Sequence, residues 1–195
     1  MSEGSRWRTH REGPYIRLHG GGKFHLKSPD LTGVSLATIA HHLAGINRYT
    51  GASRYTVAQH CAVAAHMARL WYPAHPQLPA QMLVHDVAEA FYGDVSSPLK
   101  SLIPDYRALE FFADSAVQRR FNVKFIGEAL VKEVDDRMWL TESRLLFGAE
   151  ALEDYRGPLE PFPVAGSDVG PDAFSPWSPD FAEREWLRAA EGIDD

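Results

Sequence analysis

Residues 83–100, LVHDVAEAFYGDVSSPLK, set a histidine and several carboxylates into an otherwise apolar helical run. The pattern predicts one helix from about Pro79 to Gly93, closed by the glycine. On such a helix His85 and Asp86 are adjacent, so their side chains leave the axis about 100° apart. They can share one ion only at the edge between two faces, with other helices completing its shell. Glu89 follows Asp86 by three residues and His85 by four, which puts it on the same face. A carboxylate there can take a proton from attacking water or give one to a leaving oxygen. Asp94 comes just past the helix, and Lys100 is placed to reach a phosphate.

The flanking sequence is helical as well. Leu36, Ile39, Ala40, Leu43 and Ile46 recur at the spacing of a buried helix face, and Gly33 to Ser35 suits its start. A second helix runs from Thr56, a good N-cap, to Trp71, with Pro73 closing it. Others span about Pro104 to Asn122 and Gly127 to Phe147. Ahead of them, YIRLHGGGKFHL predicts two short strands around Gly20-Gly21-Gly22. A triple glycine can also cradle phosphate, but this one lacks the strand-to-helix setting and the Lys-Ser/Thr of a P-loop, and is read as a turn. The fold class expected is all-α: a helical bundle with a short N-terminal β-hairpin and a Pro-rich acidic C-terminal tail. The divisions are residues 1–29, 30–148 and 149–195.

The chain has 195 residues, nine histidines, one cysteine and a net charge of −6. Residues 1–30 carry six basic and three acidic side chains, residues 31–148 eleven of each, and residues 149–195 three and twelve. The negative excess therefore lies in the tail, whose prolines and glycines predict mostly surface or disordered loop with a short helix from about Asp180 to Glu191. Phe181, Trp186 and Leu187 could dock that helix on the body. Net acidity counts against duplex DNA as a partner. It does not count against a small phosphorylated substrate, which needs only a local positive site. No stretch approaches the roughly 18 apolar residues of a membrane helix, and MSEGSRWRTHREG is not a signal pattern, so a soluble cytoplasmic protein is expected. The lone Cys61 excludes a disulfide framework and a Cys-based zinc cluster, leaving imidazole and carboxylate to hold any metal.

Taken singly, His60, His85, Asp86 and Asp135 are ordinary polar residues. Together they form an N/O donor set suited to Mn, Co, Fe, Zn or Mg. In that order, and on helices, they resemble the HD-domain metal-dependent phosphohydrolases. The likeness is nearest to the small bacterial and phage branch of 5'-deoxynucleotidases and phage dATP triphosphohydrolases. It rests on LATIAHHLAGINRYTG, SRYTVAQH, LVHDVAEAFYGDVSSPLK and EVDDRMWLTESRLL, covering roughly residues 30–148.

The resemblance implies His60, His85, Asp86 and Asp135 as metal ligands, with Asp135 preferred to Asp136 because it stands seven residues before Glu142. It implies Co2+ or Mn2+ as the cofactor, with Mg2+, Fe2+ or Zn2+ also compatible. Glu89 would be the catalytic carboxylate, assisted by Asp94. Arg48 and Lys100 would contact phosphate, Tyr49 would either wall the substrate or pack between helices, and Gly51 would stand near the base. His41, His42 and His66 are read as structural. The implied activity is hydrolysis of a deoxynucleotide, first a dATP-type triphosphohydrolase releasing deoxynucleoside and triphosphate, alternatively a 5'-deoxynucleotidase acting on the monophosphate. The implied partners are that small-molecule substrate and further copies of the chain in a homo-oligomer. The contrasting class is a non-catalytic helical module whose acidic tail binds a partner.

Overall fold

The computed structural model describes residues 13–164 and 169–193; the N-terminal residues 1–12 and Gly166 of the expected tail loop lie outside them. Strands β1 (Tyr15–Arg17) and β2 (Lys23–His25) pair antiparallel with Ile16 opposite Phe24. Gly20, Gly21 and Gly22 all have positive φ, the conformations that only glycine adopts cheaply, so the triplet is a turn. Phe24 is buried and stacks on Phe91 at 4.0 Å, which ties the hairpin to the helical body.

Helix α1 (Leu36–Ala44) begins where the Ser35 hydroxyl accepts the Thr38 N–H, and it buries Ile39, Ala40 and Leu43. Helix α2 (Val57–Trp71) starts at Thr56, whose hydroxyl accepts the Gln59 N–H at 3.2 Å. Nearly every residue from Val57 to Ala68 is buried, so α2 is the central rod of the bundle. Its alanines let neighbours approach closely, and α1, α3 (Leu78–Val84), α7 (Ala129–Phe147) and α8 (Pro179–Ala189) all pack on it. Between α3 and α7 lie α4 (Glu89–Tyr92), α5 (Ser97–Ser101) and α6 (Pro104–Phe121).

Two expectations need correction. The single helix over Pro79–Gly93 is broken: α3 ends at Val84, and His85–Ala88 form tight turns before α4 begins. The linking bonds are of the three-residue kind, Val87 N–H to Val84 O at 3.1 Å, Glu89 N–H to Asp86 O at 3.0 Å and Phe91 N–H to Ala88 O at 3.0 Å. In that winding residues i and i+3 eclipse, which brings Asp86 and Glu89 into line.

The tail, in turn, has the expected exposed loop over residues 153–161 and the expected helix in α8, but its apolar side chains are built into the body rather than left disordered. Phe162, Val169, Phe174, Ala182, Trp186 and Ala190 join the same hydrophobic core as α1 and α2. Trp186 is fully buried as expected of a docking residue, Leu187 is partly buried, and Phe181 stays 38 % exposed. The buried Gln59 amide holds the tail's backbone: its Nε2 donates to Ala173 O (2.9 Å) and Ser175 O (2.7 Å), and its Oε1 accepts the Trp177 N–H (3.0 Å). Proline content signals loop, but apolar burial of this order offsets the ordering cost of the segment. Among the described residues no helix is long and apolar enough to cross a membrane.

Candidate metal centre

Three segments bring four side chains together. His60 comes from the first turn of α2, His85 and Asp86 from the turns after α3, and Asp135 from the middle of α7. His60 Nε2 and His85 Nε2 lie 3.3 Å apart. Asp86 Oδ2 is 3.6 and 3.4 Å from these nitrogens, and Asp135 Oδ1 is 3.4 and 3.6 Å from them. The turn winding at 85–88, rather than the edge of a regular helix, is what lets the adjacent His85 and Asp86 face the same point.

The hydrogen bonds on the far side of each ring fix its tautomer. His60 Nδ1 donates to Glu142 Oε1 at 2.6 Å, and His85 Nδ1 donates to the Met82 carbonyl at 2.7 Å. In the neutral rings both Nε2 atoms then carry the lone pair and face each other and two carboxylate oxygens, a cluster that positive charge reconciles, whether a proton on a ring or a cation among the donors. An ion about 2.0–2.2 Å from its N and O ligands holds neighbouring donors about 3.0–3.5 Å apart. His60, His85 and Asp135 offer donor atoms all within 4.8 Å of one another, with Asp86 Oδ2 beside both imidazoles, so the group suits a divalent cation in spacing and in charge. Burial and Arg48 work to lower the His60 pKa, but Glu142 and Asp135 outweigh them and hold it above its ordinary value. His85 is likewise held well above its ordinary value, burial being outweighed by Asp86 and Asp135. Both shifts report the negative field that a cation would experience.

Glu142 anchors the rear of the site. It is fully buried, accepts the Tyr49 phenol at 2.7 Å, and pairs with Arg48, whose Nε is 3.2 Å away but off the line of a hydrogen bond. Burial pushes its carboxyl up, and His60 and Arg48 more than reverse that, leaving it below the usual range. Arg48 also donates to Asp86 Oδ2 at 3.2 Å. Tyr49 and Thr50, which follow Arg48, have φ of 58° and 54°, left-handed values that are strained for such side chains. The Asn47–Thr56 bridge and the Arg48 N–H to Tyr55 O bond (2.8 Å) hold that loop shut.

Glu89 is buried beside the donors, and its Oε2 has no hydrogen-bond partner among the described residues. Burial, then Asp86 and Asp94, push its carboxyl well above the usual range. Asp94 faces a cleft of about 540 Å³ that is also walled by Arg48, Tyr49, Asp135, Lys132 and Trp139. Lys100 is not part of that wall: it pairs with Glu110 of α6, near enough to Glu89 for each to influence the other's pKa. Gly51, exposed and at φ 81°, is also outside the wall. His42 is structural, donating from Nδ1 to Ala90 O (3.0 Å) and accepting the His19 N–H at Nε2 (3.0 Å). His41 faces Glu183 on the surface at 3.1 Å, and His66 is exposed.

Sequence reasoning passed over four residues here. Glu142 served only as a landmark, although its place two helical turns beyond Asp135 puts it on the same side of α7. Lys132 and Trp139 share that helix face at i−3 and i+4 from Asp135. Cys61 was dismissed as a ligand, yet its sulfur, His85 and Asp86 offer atoms within 4.8 Å of one another. Burial pushes its thiol up to about 11, so it stands beside the centre as a neutral thiol rather than a ready thiolate ligand.

The fold and site define a helical protein with a buried His/Asp centre able to hold a metal ion. No family model matches the chain. A stretch of 64 residues is 34% identical to the uncharacterized protein YfdR of Escherichia coli K12, covering 33% of this chain and 36% of that protein. The match thus spans about a third of the length of this curated relative.

Proposed function

We propose that this protein is a divalent-metal-dependent phosphohydrolase of deoxynucleotides, acting first on a dATP-type triphosphate to release deoxynucleoside and triphosphate. The observation that carries the reading is the pair of imidazole Nε2 atoms, 3.3 Å apart and flanked by Asp86 and Asp135. The resemblance of His60, His85-Asp86 and Asp135 to the HD-domain phosphohydrolases supplies the reaction class. When bound, a divalent cation supplies Lewis acidity towards a phosphate oxygen and water, and positive charge that lowers the Glu89 pKa towards its ordinary range.

The chain's own groups do the rest. Arg48 gives one N–H to Asp86 and its charge to Glu142, and it also lines the cleft, where its guanidinium holds a phosphate oxygen as charge builds. Glu89 moves the proton between attacking water and the leaving 5' oxygen. Asp94 orders water or sugar at the cleft wall. Helices α2 and α7 close the rear of the site and exclude bulk water, since His60 and Glu142 are both fully buried.

One feature favours the monophosphate as substrate. The cleft wall holds Asp94, Asp135 and Asp136 against Arg48 and Lys132, and Lys132 is paired with Asp136. Until a metal ion is bound, that balance repels a long polyphosphate more than a lone phosphate. A panel of deoxynucleoside mono- and triphosphates with Mn2+ or Co2+, its products resolved by chromatography, decides between them. Tripolyphosphate among the products supports the first reading, and inorganic phosphate from the monophosphates supports the second. No turnover of any nucleotide with any divalent ion would leave a non-catalytic helical module.

A further inference from the structure

Resting on the nucleotide-hydrolase reading, we propose that Trp139 is the platform on which the substrate's base stacks, so that the substrate lies along α7 with its phosphate at Asp135 and its base one turn further on. The sequence offered Tyr49 as the aromatic wall, but its ring is already committed. Its phenol is bonded to the buried Glu142, Phe147 packs edge-to-face against it at 5.1 Å, and the Arg48 guanidinium sits 5.6 Å from its centroid. Trp139 is the other aromatic in the cleft wall and has surface to offer, being 38 % exposed with Tyr155 at 6.0 Å as its ring neighbour.

The spacing suits a nucleotide. Helix α7 turns Val131, Val134 and Met138 into the core, and gives Lys132, Asp135, Asp136 and Trp139 to the cleft. Trp139 is four residues beyond Asp135, a rise of about 6 Å along the axis. That is the order of separation between a 5'-phosphate and its base across one pentose. A large indole on a cleft-facing polar stripe does nothing for the core, whereas a base laid on it buries apolar area on both partners. Lys132 and Asp136 neutralise one another through their ion pair, so the face near the base position carries little net charge. Stacking of this kind tolerates any base, which predicts recognition of the nucleotide class before recognition of adenine.

The test is equilibrium binding in the presence of Mn2+, using Glu89→Gln chain to prevent turnover. The probes are dAMP and dATP against their baseless counterparts, deoxyribose 5-phosphate and tripolyphosphate. Adding Trp139→Leu should weaken both nucleotides about 10-fold or more and leave the baseless probes within about twofold, while Trp139→Phe, which keeps a π-face, retains most of the affinity. Thermal melting of each variant separates loss of fold from loss of contact. Unchanged nucleotide affinity in Trp139→Leu, or equal weakening of nucleotides and baseless probes, overturns the stacking role alone. Failure of the parent chain to bind either nucleotide overturns the nucleotide reading, and the platform with it.

Discussion

His60 Nδ1 and Glu142 Oε1 lie 2.6 Å apart with both side chains fully buried. This bond makes His60 Nε2 the lone-pair nitrogen and points it at His85, Asp86 and Asp135. Carboxylate–histidine pairs behind a metal ligand fix its tautomer and raise its basicity, and their loss costs about 10–100-fold in metal affinity. Glu142→Gln should therefore weaken Mn2+ binding by that factor while the chain stays folded, read by calorimetric titration. Undiminished affinity would make Glu142 a packing residue only.

Glu89 gives a contrasting prediction. It is not one of the four converging donors, so Glu89→Gln should retain metal within a few-fold while kcat falls by about 10²–10⁴. Metal content and turnover measured on the same sample separate the two effects. A variant that loses both would place Glu89 among the ligands.

Much of this was legible in sequence because each signal was local. Thr56 as N-cap fixes where α2 starts, and therefore the turn that carries His60. Apolar spacing locates α1, and the expected ranges of α6 and α7 agree with the observed ones to within a residue or two. The break at His85–Ala88 was not legible, because no glycine or proline interrupts LVHDVAEAFY, and its turns bury Val87 and Ala88 much as a continuous helix would. Nor did Pro158, Pro161 and Pro163 disclose that Phe162 lies in the core, or that Gln59 binds the tail's backbone. Those are long-range contacts, invisible to any window along the chain. Glu142 and Trp139 belong to the same category: their roles come from what faces them across the cleft.

Asp114 on α6 predicts a pH dependence. Burial, then Glu110 and Asp86, push its carboxyl up to about 7, against 3.8 ordinarily. A carboxyl raised in the folded state contributes stability that is full below its unfolded pKa and is lost as pH rises through the folded one. Asp114→Asn should match the parent near pH 4, gain on it between pH 4 and 7, and exceed it by roughly 2–4 kcal/mol above pH 7. Denaturant unfolding across that range reads the difference. A constant offset at every pH would contradict the assignment.

Trp186 tests the tail's place in the core. It is fully buried in α8, and its indole Nε1 has no hydrogen-bond partner among the described residues. Trp186→Ala should cost about 3–5 kcal/mol. Trp186→Phe gives up some volume but removes an unsatisfied donor, and should cost much less. Equal, small losses for both would mean the tail is dispensable.

Direct titration of the chelator-treated chain with Mn2+ tests most plainly whether His60, His85, Asp86 and Asp135 hold one divalent ion. The structure predicts one tight site per chain, with Asp135→Ala binding at least about 100-fold more weakly and melting without the upward shift that bound metal gives the parent. Absence of a stoichiometric site in the parent, or an Asp135→Ala chain that binds Mn2+ as the parent does, would contradict it.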